Sequence, residues 1–391
     1  MIGFISRNGA YSGFLFLYAA LYAGFGVLSP FLPAYLQTRG LSPQELAIVL
    51  AAGTAIRIVA GPLAGRMADL LQAPRGVLAV CTAGASLGAL LYLSVTDFAP
   101  VLVVYVLESA LLAPLAPLSD SLALASAKAG RLDYGRVRGA GSVAFIAGMI
   151  LSSQAAAAVS SAAIAIWLNA CLLALAIPAA LCVPNSESAP PLRSTLRIER
   201  LQTGWLRQLF GIPAYRRAIL VAALVLGSHA LHDGFAIIRW RAAGLSVATG
   251  GLLWSESVAA EIIVFFVAGA PLIARLGTGG AAGLAAAAGC LRWVAMAQTV
   301  YAPALALIEP LHGLSFALLH LAIMKRFNEI VPPDLSATAQ SFYGNFAIGV
   351  ATAALTALSG PLYASFGGAA FYFMAALCAI AFPFAIRIGR D

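Results

Sequence analysis

Long apolar runs dominate this chain and constrain its fold more than any other feature. Residues 161–182, for example, contain no charged side chain and are long enough to cross about 30 Å of hydrocarbon as a helix. Only 10% of the 391 residues are charged and 61% are hydrophobic, whereas soluble domains average roughly 25% charged residues. We therefore expect an all-α membrane protein whose solvent is mostly lipid.

The hydropathy pattern predicts twelve transmembrane helices. Their approximate spans are residues 11–36, 43–70, 75–95, 98–127, 134–158, 161–182, 213–240, 246–274, 279–299, 302–328, 334–360 and 368–387. If both termini are cytoplasmic, 18 lysines and arginines fall on the cytoplasmic side and three fall outside, namely Arg39, Arg239 and Arg241. This asymmetry predicts an N-in, C-in orientation. It also accounts for the net charge of +8 without a nucleic-acid partner.

The longest polar segment, residues 184–212, lies midway along the chain and is rich in Pro, Ser and Arg. Such a composition is typical of a linker. The stretch GFGVLSPFLPAYLQTRGLS before it is echoed by GFAIIRWRAAGLS after it. We therefore predict two lobes of six helices each, residues 1–183 and 213–391, joined by a cytoplasmic linker at 184–212.

Two glutamates lie inside the eighth predicted helix, in the stretch LWSESVAAEIIVFF. Glu261 falls near mid-helix, and Glu256 lies about a turn and a half nearer the outer end. Five residues rotate a helix by about 140°, so the two side chains cannot share one face. A carboxylate at the centre of a hydrocarbon layer costs a few kcal/mol, and desolvation favours its neutral acid form. Both glutamates are candidates for carrying a proton across the membrane.

Two arginines also lie inside predicted spans, and an arginine there needs an anion because it cannot lose its proton. For Arg292 we expect Glu261 as the partner, with a substrate carboxylate competing for the same guanidinium. The alternative is a permanent salt bridge between them. Arg57 is a candidate anchor for a substrate carboxylate, or a structural partner of Asp120 or Glu108 in the fourth helix.

All four histidines lie within predicted spans. His229, His232 and Asp233 share one face of the seventh helix because they are three and four residues apart, and Glu309 precedes His312 by three residues in the tenth. Histidines titrate near physiological pH and can relay protons. The spacing also fits zinc ligands. No His-rich loop or second acidic cluster supports metal transport, so we predict no metal site.

Two lobes of six helices with a central loop resemble the major facilitator superfamily. The loop after the second helix, Gly65–Arg66–Met67–Ala68–Asp69, keeps the Gly-x-x-x-Asp core of that superfamily's cytoplasmic motif, although most of the motif's basic tail is missing. The resemblance implies a gating role for Asp69. Near the same side, Asp120 at the inner end of the fourth helix and Arg138 at the start of the fifth are candidates for an inner gate.

A narrower resemblance covers nearly the whole chain. The segment PLSDSLALASAKAGRLDYGRVRGAGSVAFIAG looks like the fourth and fifth helices of the 3-phenylpropionate permease group, which is similar to lactose permease-like proton symporters. GSHALHDGFAIIRWRAAGLS with LLWSESVAAEIIVFF looks like its seventh and eighth helices, and CLRWVAM with LHGLSFALLHLAIM like its ninth and tenth. Glu261, His229 and His312 match the group's pattern, whereas Glu256 does not.

This resemblance implies a secondary transporter that imports a small aromatic carboxylate with protons. Tyr22 and Phe25, then Trp254 and Asn345, are the candidates for contacting such a substrate beside the two arginines. A proton-coupled sugar symporter is the alternative, and a drug exporter is less well supported because the fifth helix lacks the expected Gly-Pro turn. We find no motif of a membrane enzyme.

The expected partners follow from the same reading. They are the small-molecule substrate, protons and the lipid bilayer, with no nucleic acid and no cofactor beyond the proton gradient. We expect a monomer in a bacterial inner membrane.

Overall fold

The computed structural model describes residues 2–184, 205–332 and 335–390, without the side chains of residues 2–10, 205, 206, 337 and 345. Within these ranges the chain is helical nearly throughout and contains no β-strand. An all-helical chain satisfies every backbone hydrogen bond locally, as a segment surrounded by lipid requires. Most of the predicted linker, residues 185–204, lies outside the description.

In the first half of the chain, residues 2–184 form eight helices. They are α1 (Ile2–Leu28), α2 (Leu32–Thr38), α3 (Pro43–Leu70), α4 (Pro74–Leu91), α5 (Phe98–Leu112), α6 (Leu115–Lys128), α7 (Tyr134–Val159) and α8 (Ala163–Cys182). The predicted fourth span is divided at Pro114, since proline cannot donate the backbone hydrogen bond that an unbroken helix needs. The predicted first span is likewise divided before Leu32, after Pro30.

The described residues of the second half form ten α-helices. They are α9 (Trp205–Gly211), α10 (Pro213–Gly227), α11 (Ala230–Ala242), α12 (Val247–Ile263), α13 (Gly269–Gln298), α14 (Ala302–Ile308), α15 (Leu319–Ile330), α16 (Ser336–Ser341), α17 (Ala351–Phe366) and α18 (Phe371–Ala385). Three π-helical segments separate some of them: π1 (Val264–Ala268), π2 (Gly313–Leu318) and π3 (Phe342–Val350). A short 3₁₀ turn, Gly367–Ala370, precedes α18.

Ten helical stretches among the described residues are long and apolar enough to cross a membrane. Two of them, Val247–Gln298 with 52 residues and Thr338–Ala385 with 48, far exceed the roughly 20 residues that one crossing needs. Each contains a glycine whose backbone leaves the helical region: Gly277 has φ 69°, and Gly367 has φ 53°. Positive φ is readily adopted only by glycine, so the chain bends at these two points.

The chain separates into two compact units, one formed by Met1–Arg193 with Ser246–Gly251 and the other by Ser194–Leu245 with Leu252–Asp391. In the first unit, α1 packs along α7 and α8, and α4 packs on α8 and α5. In the second, α13 packs along α18, and π1 lies against π2.

The tightest helix contact in the first unit is between α1 and α7. Gly148 faces the carbonyl of Ala23, and Gly26 faces the carbonyl of Phe145, so that a β-carbon at either glycine would overlap a backbone oxygen. Small residues at such crossings let two backbones approach closely, which is how membrane helices gain packing energy. This contact fixes α1 against α7.

A methyl group at this crossing should separate α1 from α7. Gly148→Ala is expected to lower the free energy of unfolding by about 1–3 kcal/mol, as overpacking does elsewhere, in thermal unfolding of the detergent-solubilised protein. Gly139 lies on the same helix with open space where its β-carbon would be. Gly139→Ala is therefore the matched control, and it should leave stability unchanged or raise it by up to about 1 kcal/mol. Equal effects of the two substitutions would refute this account of the crossing.

Candidate functional site

The polar side chains of the second unit converge where its helices are interrupted. The break between α10 and α11 occurs at Ser228 and His229, and α14 ends just before Glu309. Pro310 removes a backbone donor at the second break, and π2 follows at Gly313. π-Helical turns often occur at functional sites. The irregular backbone therefore marks one region of this unit.

A buried ion pair lies at the centre of this region. Arg292 Nη2 is 2.6 Å from Glu309 Oε2, and both side chains are fully buried. The Ser257 hydroxyl donates to the same carboxylate oxygen. Each member still has one atom without a hydrogen-bond partner within the described part of the chain, Arg292 Nε and Glu309 Oε1. Two charges this deep persist only because each compensates the other.

His232 links the ion pair to a more accessible carboxylate. Its Nε2 lies 3.2 Å from Arg292 Nη2 and 3.3 Å from Glu309 Oε2, and its Nδ1 lies 3.3 Å from Asp233 Oδ1. The Asp233 side chain is 57% exposed, although His232 beside it is buried. The imidazole thus joins the buried charges to an exposed acid.

His312 makes the corresponding link to Glu261. Its Nδ1 is 3.1 Å from Arg292 Nη1, and its Nε2 is 3.3 Å from Glu261 Oε2. Because arginine only donates hydrogen bonds, Nδ1 must accept, and a neutral His312 then carries its proton on Nε2 and donates it to Glu261. The Glu261 side chain is 25% exposed. A single imidazole therefore connects the buried ion pair with a carboxylate that is only partly buried in the protein.

Aromatic rings enclose these groups. The Trp254 ring lies 4.5 Å from the His232 ring, and the Arg292 guanidinium lies 4.5 Å from the centroid of Trp293. His312 stacks on Phe316 with a centroid separation of 5.3 Å. Flat aromatic faces exclude water and attract cations. They give the polar cluster an apolar boundary.

His229 lies in the second layer of this cluster. Its Nε2 is 3.1 Å from the Ser315 hydroxyl and its Nδ1 is 3.1 Å from the Val225 carbonyl. Its ring packs at 5.1 Å against His312. His229 therefore contacts His312. Among the described residues, no carboxylate is in direct contact with His229.

The expected pairing of Arg292 with Glu261 is wrong, because Glu309 occupies the guanidinium and Glu261 contacts His312 instead. The spacing of Glu309 and His312 along one helix was visible in the sequence. It did not reveal that Glu309 would point to Arg292, because the break at Pro310 changes the register between the two side chains. Glu309 is the central residue that sequence reasoning missed.

The first unit holds a separate set of charged groups around α5. The Tyr92 hydroxyl donates to Glu108 Oε2, and both residues are buried. Arg57 on α3 reaches Ser109 Oγ at 3.5 Å. The predicted ion pairs of Arg57 with Asp120 or Glu108 are absent. Arg57 remains exposed, and Tyr92 supplies the partner of Glu108.

The predicted inner gate between Asp120 and Arg138 is also absent. Asp120 accepts a hydrogen bond from the Tyr18 hydroxyl at 2.6 Å. Arg138 donates to Ser142 at 3.2 Å, and its guanidinium lies 4.7 Å from the ring centroid of Tyr22. Asp120 and Arg138, which were expected to pair with each other, thus each contact a tyrosine instead: Tyr18 for Asp120 and Tyr22 for Arg138.

The remaining predicted site residues are dispersed. Phe25 packs edge-on against Tyr22 at 5.5 Å, and Glu256 is half-buried on α12. Asp69 is exposed at the end of α3. The side chain of Asn345 lies outside the described residues. In the described part of the chain, no three His, Cys, Asp or Glu side chains are grouped to hold a metal ion.

Comparison with known proteins agrees with this fold. A model of the MFS_1-like family matches residues 9–375. A probable 3-phenylpropionic acid transporter of Escherichia coli K12 is 30% identical over 92% of both chains. A maltose permease of Geobacillus stearothermophilus is 25% identical over 94% of this chain and 91% of its own. The crystal structure of the nucleoside transporter NupG superposes with a TM-score of 0.80 at 16% identity, covering 97% and 98% of the two chains.

These features define a multi-pass membrane transporter of the major facilitator type, and not an enzyme. The chain belongs to the MFS_1-like family.

Removing one partner of the buried ion pair should destabilise the protein strongly. Glu309→Gln keeps the shape of the side chain but leaves the Arg292 charge uncompensated, and we expect a loss of about 3–5 kcal/mol in the free energy of unfolding. Thermal and denaturant unfolding in detergent measure this loss. Glu256→Gln, on the half-buried neighbouring acid, is the comparison and should cost less than about 1 kcal/mol.

The double variant Arg292→Met with Glu309→Met separates a lost charge pair from lost packing. Replacing both ions by apolar side chains should recover most of the stability that Glu309→Gln loses. A double variant as unstable as the single one would contradict the assignment of the cost to an uncompensated charge.

Proposed function

We propose that this protein is a secondary active transporter that imports a small aromatic carboxylate, such as 3-phenylpropionate, together with protons. The observation that carries the proposal is the contact from the buried Arg292–Glu309 pair through His312 to Glu261. Ionisable groups inside membrane spans are expensive and usually mark ion or substrate pathways. The printed name of the Escherichia coli relative supports the substrate class.

The proposed topology has twelve spans with both termini in the cytoplasm of a bacterial cell, in the inner membrane. The bends at Gly277 and Gly367 support the count, because they divide the two longest apolar stretches near the predicted boundaries. The lobes would be residues 1–183 and 213–391, with residues 184–212 as the linker. The excess of basic residues on one predicted side supports the orientation.

Proton coupling is assigned to Glu261. As a carboxylate it accepts the Nε2 hydrogen of His312. When Glu261 gains a proton, its side chain becomes neutral. A carrier whose site is neutral avoids the cost of moving a charge through an occluded state. The membrane potential supplies about 2.3 kcal/mol per charge for each 100 mV. The substrate crosses the membrane by alternating access, as one lobe moves against the other.

The substrate carboxylate needs a cation that is not already occupied. Arg292 is fully buried and held by Glu309, whereas Arg57 is exposed and, in the described part of the chain, makes one long hydrogen bond, to Ser109. We therefore assign the carboxylate to Arg57 and keep Arg292 as part of the proton network. Tyr22 with Phe25 supplies aromatic faces in the same unit for an aryl ring.

Proton-coupled sugar transport is the second candidate. The observation in its favour is the 25% identity to a maltose permease. A neutral sugar would use the same proton network but would leave Arg57 without an anion. Competition by sugars against 3-phenylpropionate distinguishes the two candidates.

Glu261→Gln should weaken the coupling of transport to the proton gradient, because it removes the proton that Glu261 carries. In liposomes containing the purified protein, an inward proton gradient is expected to drive accumulation of labelled 3-phenylpropionate above the level of protein-free liposomes, which report passive leak of the neutral acid. Because glutamine cannot exchange a proton, the variant should lose this uphill accumulation by at least tenfold. It should retain exchange of labelled for unlabelled substrate, which needs no net proton movement.

Glu329→Gln is the matched control, since Glu329 is an acid that pairs with Arg326 at the end of α15, outside the site. It should behave as the wild type. Proton-driven accumulation that is as high in Glu261→Gln as in the wild type would remove Glu261 from the coupling role. Accumulation of a sugar, with no response to aryl carboxylates, would replace the substrate assignment by the second candidate.

A further inference from the structure

Glu108 is a buried acid that the proton network of the second unit does not use. It lies in α5 with only 2% of its surface exposed. Tyr92, which follows α4, donates a hydrogen bond to its Oε2, and its Oε1 has no hydrogen-bond partner in the described residues. Half of this carboxyl group is therefore left unsatisfied.

No cation forms an ion pair with Glu108 within the described structure. The elements packed against α5 are chiefly α3 and α4, and the groups on them that act on Glu108 are Arg57 and Tyr92. Tyr105 faces it from the same helix. A buried carboxylate with one hydrogen bond and no adjacent cation is costly, and a neutral carboxylic acid there costs much less. The geometry fits the acid with its proton on Oε1.

Arg57, unlike the buried Glu108, is an exposed charged side chain. Its guanidinium is exposed, always charged, and lies near the middle of a 28-residue apolar helix. Within the described residues it makes one hydrogen bond, 3.5 Å to Ser109 Oγ, which leaves most of its donors available. Ser109 follows Glu108 directly, so the guanidinium already reaches the turn of α5 that holds the acid.

We propose that Glu108 and Arg57 form a proton-linked anion site in the first unit. While Glu108 holds its proton, Arg57 is a free cation and binds the carboxylate of the substrate. When Glu108 releases the proton, its own carboxylate becomes the partner of Arg57 and displaces the substrate. One proton and one carboxylate thus bind together and leave together, so the net charge of the site is unchanged by loading. The choice of a carboxylate as ligand rests on the proposed function.

This site couples the proton to the substrate by direct competition for one guanidinium. Competition of this kind requires two anions that cannot both be neutralised by a single cation. The linkage is separate from Glu261, which lies in the other unit. It predicts a proton bound with the substrate even when Glu261 cannot titrate.

The test is calorimetric binding of 3-phenylpropionate to the purified Glu261→Gln protein in buffers of different ionisation enthalpy, which reports protons taken up per substrate bound. Above the pH at which Glu108 titrates, we expect uptake approaching one proton, with affinity falling about tenfold per pH unit. Adding Glu108→Gln should abolish the uptake and the pH dependence. Glutamine keeps the size of the side chain and can still accept from Tyr92.

Asp97→Asn is the matched control, because Asp97 is an exposed acid at the start of the same helix and its side chain makes no capping hydrogen bond. It should leave proton uptake unchanged. Arg57→Gln should weaken 3-phenylpropionate binding at least tenfold without weakening that of the uncharged 3-phenylpropanol. Undiminished proton uptake in the Glu108→Gln variant would overturn the proposal.

Infrared difference spectroscopy tests the same site without any substrate. A pH jump should reveal the carbonyl band of a protonated carboxylic acid that is missing in Glu108→Gln, and the band should persist to higher pH in Arg57→Gln, because the cation that stabilises the carboxylate is gone. If 3-phenylpropionate does not bind the wild type, the proposed substrate fails, while these bands still decide the proton site. An acid band unaffected by both substitutions would exclude the pairing.

Discussion

A charge inside an apolar helix bundle must be compensated, and the two units meet this requirement in different ways. In the second unit Arg292 and Glu309 neutralise each other at 2.6 Å, with both side chains fully buried. In the first unit Glu108 is buried without an ion pair while Arg57 is exposed. The first arrangement fixes the charges permanently. In the proposed mechanism, the second arrangement leaves Arg57 free to be paired by a ligand.

The irregular backbone of the second unit serves the same requirement. The breaks at His229 and Glu309, with π2 after the second, bring His232, Glu309 and His312 to Arg292. Non-helical backbone at membrane depth is tolerated only where protein groups satisfy it. The Ser228 hydroxyl, which accepts from the Trp293 indole at 2.8 Å and donates to the Val225 carbonyl, shows how one break is satisfied. The site and the breaks depend on each other.

The sequence was sufficient for the helical class and for many boundaries. Helices predicted to begin at residues 98, 213 and 302 begin at Phe98, Pro213 and Ala302, because proline and apolar periodicity act locally. The partners of the charged residues were not predictable. Which acid reaches Arg292 depends on how far each helix is rotated, and every π-helical turn or break shifts that rotation by an amount that spacing does not reveal. Tyr18 and Tyr92 were not predicted as the partners of Asp120 and Glu108, because a search for opposite charges does not find an uncharged tyrosine.

The direction of the hydrogen bonds at His312 has a consequence for energy conservation. Arg292 can only donate, so it holds the imidazole with Nδ1 as acceptor and Nε2 pointing its hydrogen at Glu261. A proton arriving at Glu261 therefore meets, through His312, a group that can never take it up. The ion pair therefore blocks proton transfer from Glu261 through His312 into the rest of the unit. In the proposed transport cycle, protons therefore do not leak across the membrane along this route.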